Sequence, residues 1–333
     1  YKKPLFTVSM MVGVIGCAAL AFPTSWVVFL TVFVIAKVGY NASLIFYDSM
    51  LVDITDHDRM DVVSSYGYAW GYIGSCVPFV ISLVFVLMYE KIGITMGMAM
   101  MLAFFLNAAW WFLVTIPLLK KYKQVNYAQM PTHPVRDSFR RLINTLKDIK
   151  AEKNIFLYLL SFFFFIDGVY TIIEMATAYG SALGLDSTGL LLALLVTQIV
   201  AFPCALIFAR CSKKYETDLL IKICIAAYTG IALFAIQLDK QWEFWLLAVL
   251  VGMFQGAIQA LSRSYFAKII PAEKAGEYFG IYDICGKGAS FLGTTLVGVI
   301  AQLTNVANAG VAMITVLFVI GFVLFCKAAK LNK

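Results

Sequence analysis

The sequence predicts an all-α membrane protein with ten transmembrane helices. Of the 333 residues, 62% are hydrophobic and only 14% are charged, whereas soluble domains are about half apolar and about a quarter charged. The apolar residues form long continuous runs that short polar stretches separate, which is typical of a polytopic helical protein. Strands of a membrane barrel would alternate between apolar and polar residues instead.

Each apolar run is long enough to cross a bilayer core, which needs about 20 residues of helix. In chain order, the predicted spans are 5–22, 26–48, 67–88, 93–118, 154–176, 189–210, 218–237, 242–264, 279–301 and 307–327. The seven cysteines lie in or beside these spans without a CxxC pair. They therefore indicate neither a disulfide framework nor a metal site, and we expect no cofactor.

Basic residues occur mainly in every second loop, which sets the expected orientation. Lys2 and Lys3 open the chain and the segment 120–153 holds nine basic residues, whereas the alternate loops offer only Lys91 and Lys240. Since cytoplasmic loops are enriched in Lys and Arg, we expect both visible termini to be cytoplasmic. The net charge of +7 follows from this topology and indicates no nucleic-acid partner.

An internal repeat relates the two halves of the chain. The stretch SYGYAWGYIGS resembles EYFGIYDICGKGAS, with Gly67 matching Gly280. Parallel six-helix repeats are the plan of major facilitator transporters. Three spans precede the 242–264 helix but only one precedes its match at 26–48, so we expect helices 3–12 of a twelve-helix major facilitator fold, with the first two missing.

This repeat predicts three parts. An incomplete N-terminal bundle covers 1–118, a cytoplasmic linker covers 119–153, and a C-terminal six-helix bundle covers 154–333. Within the linker, apolar and basic residues recur at helical spacing over 134–150, which predicts an amphipathic helix on the cytoplasmic membrane surface. The repeat also contains closely spaced glycines, and these are expected to let helices approach closely. They are Gly67, Gly71, Gly74, Gly280 and Gly288. The alternative is that they form a sliding surface for alternating access.

Three stretches carry a family resemblance: GYNASLIFYDSML…DRMDVVSSYGYAWGYIG, YLLSFFFFIDGVYTI and QGAIQALSRSYFAKIIPAEKAGEYFGIYDICGKGASFLG. They resemble the vacuole-effluxer-like, autophagy-related branch of the major facilitator superfamily. That resemblance implies a transporter fold and a transport role, and fungal members are linked to amino-acid efflux from the vacuole. For this chain we expect a secondary active transporter of a small polar solute, with amino acids as one solute class and protons as one coupling ion, in a bacterial cytoplasmic membrane.

Two other functions compete with transport. A non-transporting membrane scaffold or sensor would share the same spans. An intramembrane enzyme would need metal ligands or a nucleophile beside a base, and neither motif is visible in the sequence. We therefore do not expect an enzyme.

Polar residues inside the spans are the candidate site, because an ionisable group at the bilayer centre costs about 2.5–3.5 kcal/mol. Asp167, Tyr170, Thr171 and Glu174 share one helix face through their i, i+3, i+4, i+7 spacing. This stripe predicts a substrate or proton site. The alternative is a structural hydrogen bond between helices.

Further candidates lie on two other spans. Lys37 and Asn41 form a stripe on the 26–48 helix, and Asp167 is one candidate partner for the Lys37 ammonium. Gln255 and Gln259 can donate and accept hydrogen bonds, as recognition of a zwitterionic solute requires. Helix packing through the same amides is equally favoured.

Four charged residues are predicted to form gate or structural ion pairs. Asp48 and Arg263 lie near the cytoplasmic ends of their helices. Asp283 and Lys287 are an i, i+4 pair in the favourable order, with the acid first.

Overall fold

The computed structural model describes residues 2–22, 25–127, 134–182, 184–238, 240–304 and 307–331, without the side chains of 134–139 and 307–308. Fifteen helical segments of this part follow one another along the chain. The α-helices are α1 (Lys2–Ala19), α2 (Trp26–Ser49), α3 (Leu51–Ile54), α4 (Met60–Leu87), α5 (Tyr89–Ile92), α6 (Met96–Lys121), α7 (Pro134–Ala151), α8 (Lys153–Ala182), α9 (Ser187–Cys211), α10 (Thr217–Ala235), α11 (Gln241–Ile269), α12 (Ala275–Thr304) and α13 (Ala307–Leu331). Two 3-10 turns, His57–Arg59 and Ala272–Lys274, precede α4 and α12.

Ten helices of the described chain are long and apolar enough to cross a membrane, which confirms the predicted all-α membrane class. They are α1, α2, α4, α6 and α8 to α13. Several begin at a side-chain cap, which satisfies backbone N–H groups that the first helical turn leaves unpaired. The Asp186 carboxylate, for example, accepts the Gly189 N–H at 2.7 Å where α9 starts.

Backbone contacts divide the chain into two compact units, Tyr1–Asp56 with Ile73–Ala128, and His57–Tyr72 with Gln129–Lys333. The first part of α4 is grouped with the second unit. Hydrogen bonds and an ion pair of Asp61 and Ser64 hold that segment to α10 and α11. The predicted division into two bundles joined by a linker stays a prediction.

In the first unit, α1 and α2 pack at very short distance. A Cβ added at Gly39 would lie 2.6 Å from the backbone nitrogen of Gly13 and 2.9 Å from the carbonyl oxygen of Ser9. A Cβ added at Gly16 would lie 2.9 Å from the Cα of Ala36. Small residues therefore allow the two backbones to approach, as is common between membrane helices.

A polar cluster ties the ends of this unit together around Asp53. Its carboxylate accepts hydrogen bonds from the Lys2 ammonium at 2.7 Å, the Tyr122 hydroxyl at 2.6 Å and the Asn126 backbone N–H at 2.8 Å. Burial and the neighbouring Asp53 carboxylate raise the pKa of Tyr122. The phenol therefore remains a hydrogen-bond donor at neutral pH.

In the second unit, aromatic rings of α8, α11 and α12 form part of the core. Tyr282 stacks on Phe162, with ring centroids 4.0 Å apart, and on Phe266 at 4.9 Å. Helix α13 packs closely on α8, because an added Cβ at Gly321 would lie 2.9 Å from the backbone nitrogen of Phe165. This core holds α8 and α12, which carry the main candidate site, against each other.

The expected role of the repeated glycines in close packing is wrong at four positions. An added Cβ at Gly71, Gly74, Gly280 or Gly288 would meet nothing within 4 Å in the described chain. The physical reason is that the spacing of glycines along one helix does not determine whether another helix packs there. A close contact also requires a neighbouring helix on the face that carries the glycines. The crowded glycines of the described chain lie elsewhere, on α1, α2, α8, α9, α11, α12 and α13.

Candidate solute and ion site

Asp167 lies in the middle of α8, where this helix packs against α12. Asp167 is only 2% exposed. One carboxylate oxygen, Oδ1, accepts the backbone N–H of Gly293 at 3.1 Å and the hydroxyl of Thr171 at 3.3 Å. Among the described residues of the second unit, no Lys or Arg forms an ion pair with it. Asp167 is thus a buried carboxyl group with neutral donors around it.

Gly293 makes this arrangement possible. A Cβ at position 293 would overlap the Asp167 carboxylate and the Thr171 hydroxyl. A larger residue would therefore push α12 away from α8 or displace the carboxylate. Because residue 293 is a glycine without a side chain, the Gly293 backbone N–H of α12 can reach the Asp167 carboxylate as a hydrogen-bond donor.

The remaining predicted residues of α8 extend the polar face along the same helix pair. Glu174 is exposed and accepts a hydrogen bond from the Ser290 hydroxyl at 2.8 Å. Tyr170 is half-buried, and its ring lies 3.5 Å from a Cβ that would be added at Gly286. The four predicted residues of α8 thus lie at the α8–α12 contact. Ser290 and Gly293 of α12 also belong to this contact, and sequence reasoning did not predict them. The one signal in the sequence was the spacing of three residues between Ser290 and Gly293 within KGASFLG.

Gln255 and Gln259 lie one turn apart on α11. Gln255 is buried and lines a mainly apolar cleft between α8, α9 and α11, together with Ile173, Thr197 and Val251. Gln259 is half-buried. Within this cleft the Gln255 amide is a polar group that can both donate and accept.

Lys37, Asn41 and Asp48 lie on α2 in the first unit. The Lys37 side chain is exposed, and its ammonium nitrogen is 5.7 Å from the ring centroid of Tyr40. Asn41 and Asp48 are half-buried. The expected pairing of Lys37 with Asp167 stays a prediction.

Arg263 is buried on α11 and contacts the first part of α4. Its Nε donates to the Ser64 hydroxyl oxygen at 3.0 Å and its Nη2 donates to the Ser64 carbonyl at 3.2 Å. The guanidinium carbon lies 4.8 Å from the Tyr68 ring centroid, within the range of a cation–π contact. On α12, the Lys287 ammonium and the Asp283 carboxylate form an ion pair at 2.6 Å.

Sequence reasoning missed a second buried carboxylate, Asp61 in the first turn of α4. It is 4% exposed and accepts hydrogen bonds from the Ser264 hydroxyl at 2.6 Å, the Thr217 hydroxyl at 2.6 Å and the Lys268 ammonium at 2.5 Å. These donors come from α10 and α11. Asp61 and Ser64 are the contacts that group the start of α4 with the second unit.

No metal site is visible in the part of the chain that the structure describes, where no three His, Cys, Asp or Glu side chains come together. The polar groups of the candidate site are carboxyl, hydroxyl and amide groups. Such groups bind protons, ammonium groups and other hydrogen-bonding solutes.

The fold is that of major facilitator transporters. The fucose transporter FucP, solved in an outward conformation, has a TM-score of 0.71 at 11% identity, covering 98% of this chain and 83% of that one. The human organic anion transporter MFSD10 has a TM-score of 0.63 at 15% identity, covering 97% of this chain and 77% of that one.

The chain belongs to the family described as vacuole effluxer Atg22 like, whose model matches residues 1–331. An MFS-type transporter of Bacillus subtilis, YxiO, is 42% identical over 97% of this chain and 76% of its own length. Autophagy-related protein 22-1 of Penicillium rubens is 25% identical over 72% of this chain, which spans only 44% of that protein. The protein is therefore a multi-pass membrane protein of a transporter family, not an enzyme.

Proposed function

We propose that the protein is a secondary active transporter that moves a small polar solute by alternating access in the bacterial cytoplasmic membrane. Amino acids are the proposed solute class and protons the proposed coupling ion. The observation that carries the proposal is Asp167, a carboxyl group buried between α8 and α12 with neutral donors as its partners.

A carboxylate in such surroundings favours binding of a cation. Ionised, it carries a charge whose burial is costly, and two neutral hydrogen bonds offset only part of that cost. A proton or the ammonium group of a solute neutralises the charge at that point. When the cation is a proton, its uptake and release at Asp167 in each transport cycle would couple solute movement to proton movement, while the other polar residues hold the solute.

Neighbouring residues have proposed roles in the same scheme. Glu174 lies seven residues along α8, about 10 Å by helical rise, and is exposed, so it suits an entry point for the cation. Tyr170 and Thr171 would hold the site's hydrogen bonds in place. Gln255 and Gln259, with Lys37 and Asn41 in the first unit, are proposed to bind polar groups of the solute. Asp48, Arg263, Asp283 and Lys287 are proposed as gate or structural pairs.

The test uses the full-length protein in proteoliposomes, with a mixture of radiolabelled amino acids as the probe. An imposed pH gradient should drive accumulation in the wild type. Asp167→Asn keeps the size of the side chain and removes its titration, so this variant should lose accumulation driven by pH while it retains counterflow exchange. Asp58→Asn is the matched control, because the Asp58 side chain is fully exposed and its loss should change neither activity.

The outcomes separate the parts of the proposal. Normal pH-driven accumulation by a well-folded Asp167→Asn protein would remove Asp167 from the coupling role. Exchange without any response to pH in the wild type would exclude protons as the coupling ion. Absence of any amino-acid flux in the wild type would exclude this solute class, and absence of flux with other small polar solutes would favour a scaffold or sensor.

A further inference from the structure

Helix α7 has one face that is fixed to the second unit. The Thr145 hydroxyl donates to the Glu277 carboxylate at 2.7 Å, and the Lys274 ammonium pairs with Asp148 at 2.9 Å. Ile149, on the same side of α7, is 4% exposed. These contacts hold the described part of α7 against the start of α12.

This attachment places α7 at the level where membrane spans begin. Helix α7 ends at Ala151, two residues before the span Lys153–Ala182 starts. Its partners Lys274 and Glu277 lie in the first residues of the span Ala272–Thr304. A helix held at the ends of two spans lies at the boundary between the bilayer and water, the level at which interfacial helices bind.

The opposite face of α7 combines exposed apolar and basic side chains. Ile143 is 54% exposed and Leu146 is 48% exposed, and Arg140, Lys147 and Lys150 are exposed beside them. At about 100° per residue, these five positions fall within about 120° of the helix circumference. Asp148 lies on the other side, where it pairs with Lys274. The outward face therefore has positive charge next to apolar surface.

We propose that this outward face of α7 binds the membrane surface through anionic phospholipid. Arg140, Lys147 and Lys150 contact the lipid phosphates, while Ile143 and Leu146 insert among the upper parts of the acyl chains. The face has the charge opposite to that of an anionic headgroup layer, and its apolar residues gain from leaving water. This inference goes beyond the proposed transport function and does not depend on the identity of the solute.

The first experiment measures whether the outward face of α7 touches lipid. A fluorophore is attached at Ile143→Cys in a full-length protein that lacks its native cysteines, reconstituted with phosphatidylglycerol that carries brominated acyl chains. Quenching is expected at position 143. A fluorophore at Asp58→Cys, where the native side chain is fully exposed, is the water-facing control and should be quenched much less. Equal and weak quenching at both positions would overturn the proposal.

The second experiment measures the contribution of charge. In detergent, the same fluorophore is titrated with short-chain phosphatidylglycerol, and phosphatidylcholine serves as the neutral lipid. Each basic side chain near an anionic surface is worth about fivefold in affinity, so Arg140→Gln, Lys147→Gln and Lys150→Gln together should weaken binding about a hundredfold. The matched control removes the same charge from the last turn of α9 and the turn after it, through Arg210→Gln, Lys213→Gln and Lys214→Gln, and should change affinity little.

Two results would contradict a lipid partner. Equal losses in both triple variants would mean that net charge, and not the face of α7, determines affinity. A second contradicting result concerns the fluorophore at position 143. If brominated lipid does not quench its fluorescence but an acidic polypeptide such as polyglutamate changes it, the partner is a soluble acidic protein instead.

Discussion

At the residue scale, Asp61 is a buried side chain whose loss should be costly to the second unit. Its carboxylate pairs with the Lys268 ammonium and accepts from Thr217 and Ser264 in a buried position. Removing one partner of a buried ion pair leaves the other charge uncompensated and typically costs about 3–5 kcal/mol. We predict a loss of this size for Asp61→Ala, measured as a lowered thermal unfolding midpoint in detergent.

Two comparisons make the Asp61 prediction specific. Lys274→Ala breaks a pair whose side chains are 48% and 44% exposed, and such pairs contribute at most about 1 kcal/mol. The double variant Asp61→Ala with Lys268→Met removes both charges, so it should recover part of the lost stability. If Asp61→Ala proved as mild as Lys274→Ala, the cluster would not stabilise the unit.

The sequence predicted Asp167 but not Asp61, and the reason is their surroundings. Asp167 is the acid within a long apolar run, so its burial and helix face follow from position alone. Asp61 lies in DITDHDRMD among four other acidic or titratable groups, and nothing local indicates which one is buried. Its donors, at 217, 264 and 268, are more than 150 residues away, so only the tertiary fold brings them together.

At the element scale, the packing of α1 on α2 depends on Gly39. An added Cβ would crowd backbone atoms of Gly13 and Ser9, which cannot rotate away as side-chain atoms can. Overpacking typically costs about 1–3 kcal/mol. We therefore predict that Gly39→Ala lowers the thermal unfolding midpoint and the yield of folded protein in detergent.

The control for Gly39 lies on α6. A Cβ at Gly97 would find its nearest neighbour, the Thr95 hydroxyl oxygen, at 3.9 Å. Gly97→Ala should therefore be neutral, or stabilise the helix by up to about 1 kcal/mol through its higher helix propensity. An equal loss in both variants would indicate that the close contact at Gly39 is not what matters.

The sequence predicted the helices better than it predicted their contacts. Length and continuous apolarity are properties of one segment, so the ten spans follow from the sequence directly. Which glycine is crowded depends on two segments at once. Among the described residues, an added Cβ at Gly71, Gly74, Gly280 or Gly288 meets no neighbour within 4 Å, whereas Gly293 is crowded because Asp167 projects toward it.

At the scale of the whole molecule, the internal repeat allowed the fold to be predicted from the sequence, because a repeat reflects the arrangement of helices in the two halves. One weak match such as Gly67 with Gly280 decides little, but several in the same order, half a transporter apart, favour a six-helix repeat. The transporter fold agrees with that inference. The repeat does not identify the solute that is transported. Solute specificity depends on a few side chains, and several solutes share the chemistry that those side chains recognise.

The orientation of the whole chain gives the last prediction. The segment 120–153 holds nine basic residues, and loops rich in Lys and Arg remain on the cytoplasmic side. The α7 side of the molecule should therefore face the cytoplasm and the α5 side should face outward. In intact cells that express a protein without native cysteines, a membrane-impermeant maleimide should label Lys91→Cys but neither Lys147→Cys nor Lys213→Cys.

Permeabilised cells provide the control for that experiment. All three native side chains are exposed, so all three cysteines should react once the reagent reaches both sides of the membrane. Labelling of positions 147 and 213 in intact cells, with position 91 protected, would invert the orientation. It would also place the basic face of α7 against the outer leaflet, so the same labelling pattern decides which membrane surface that helix can bind.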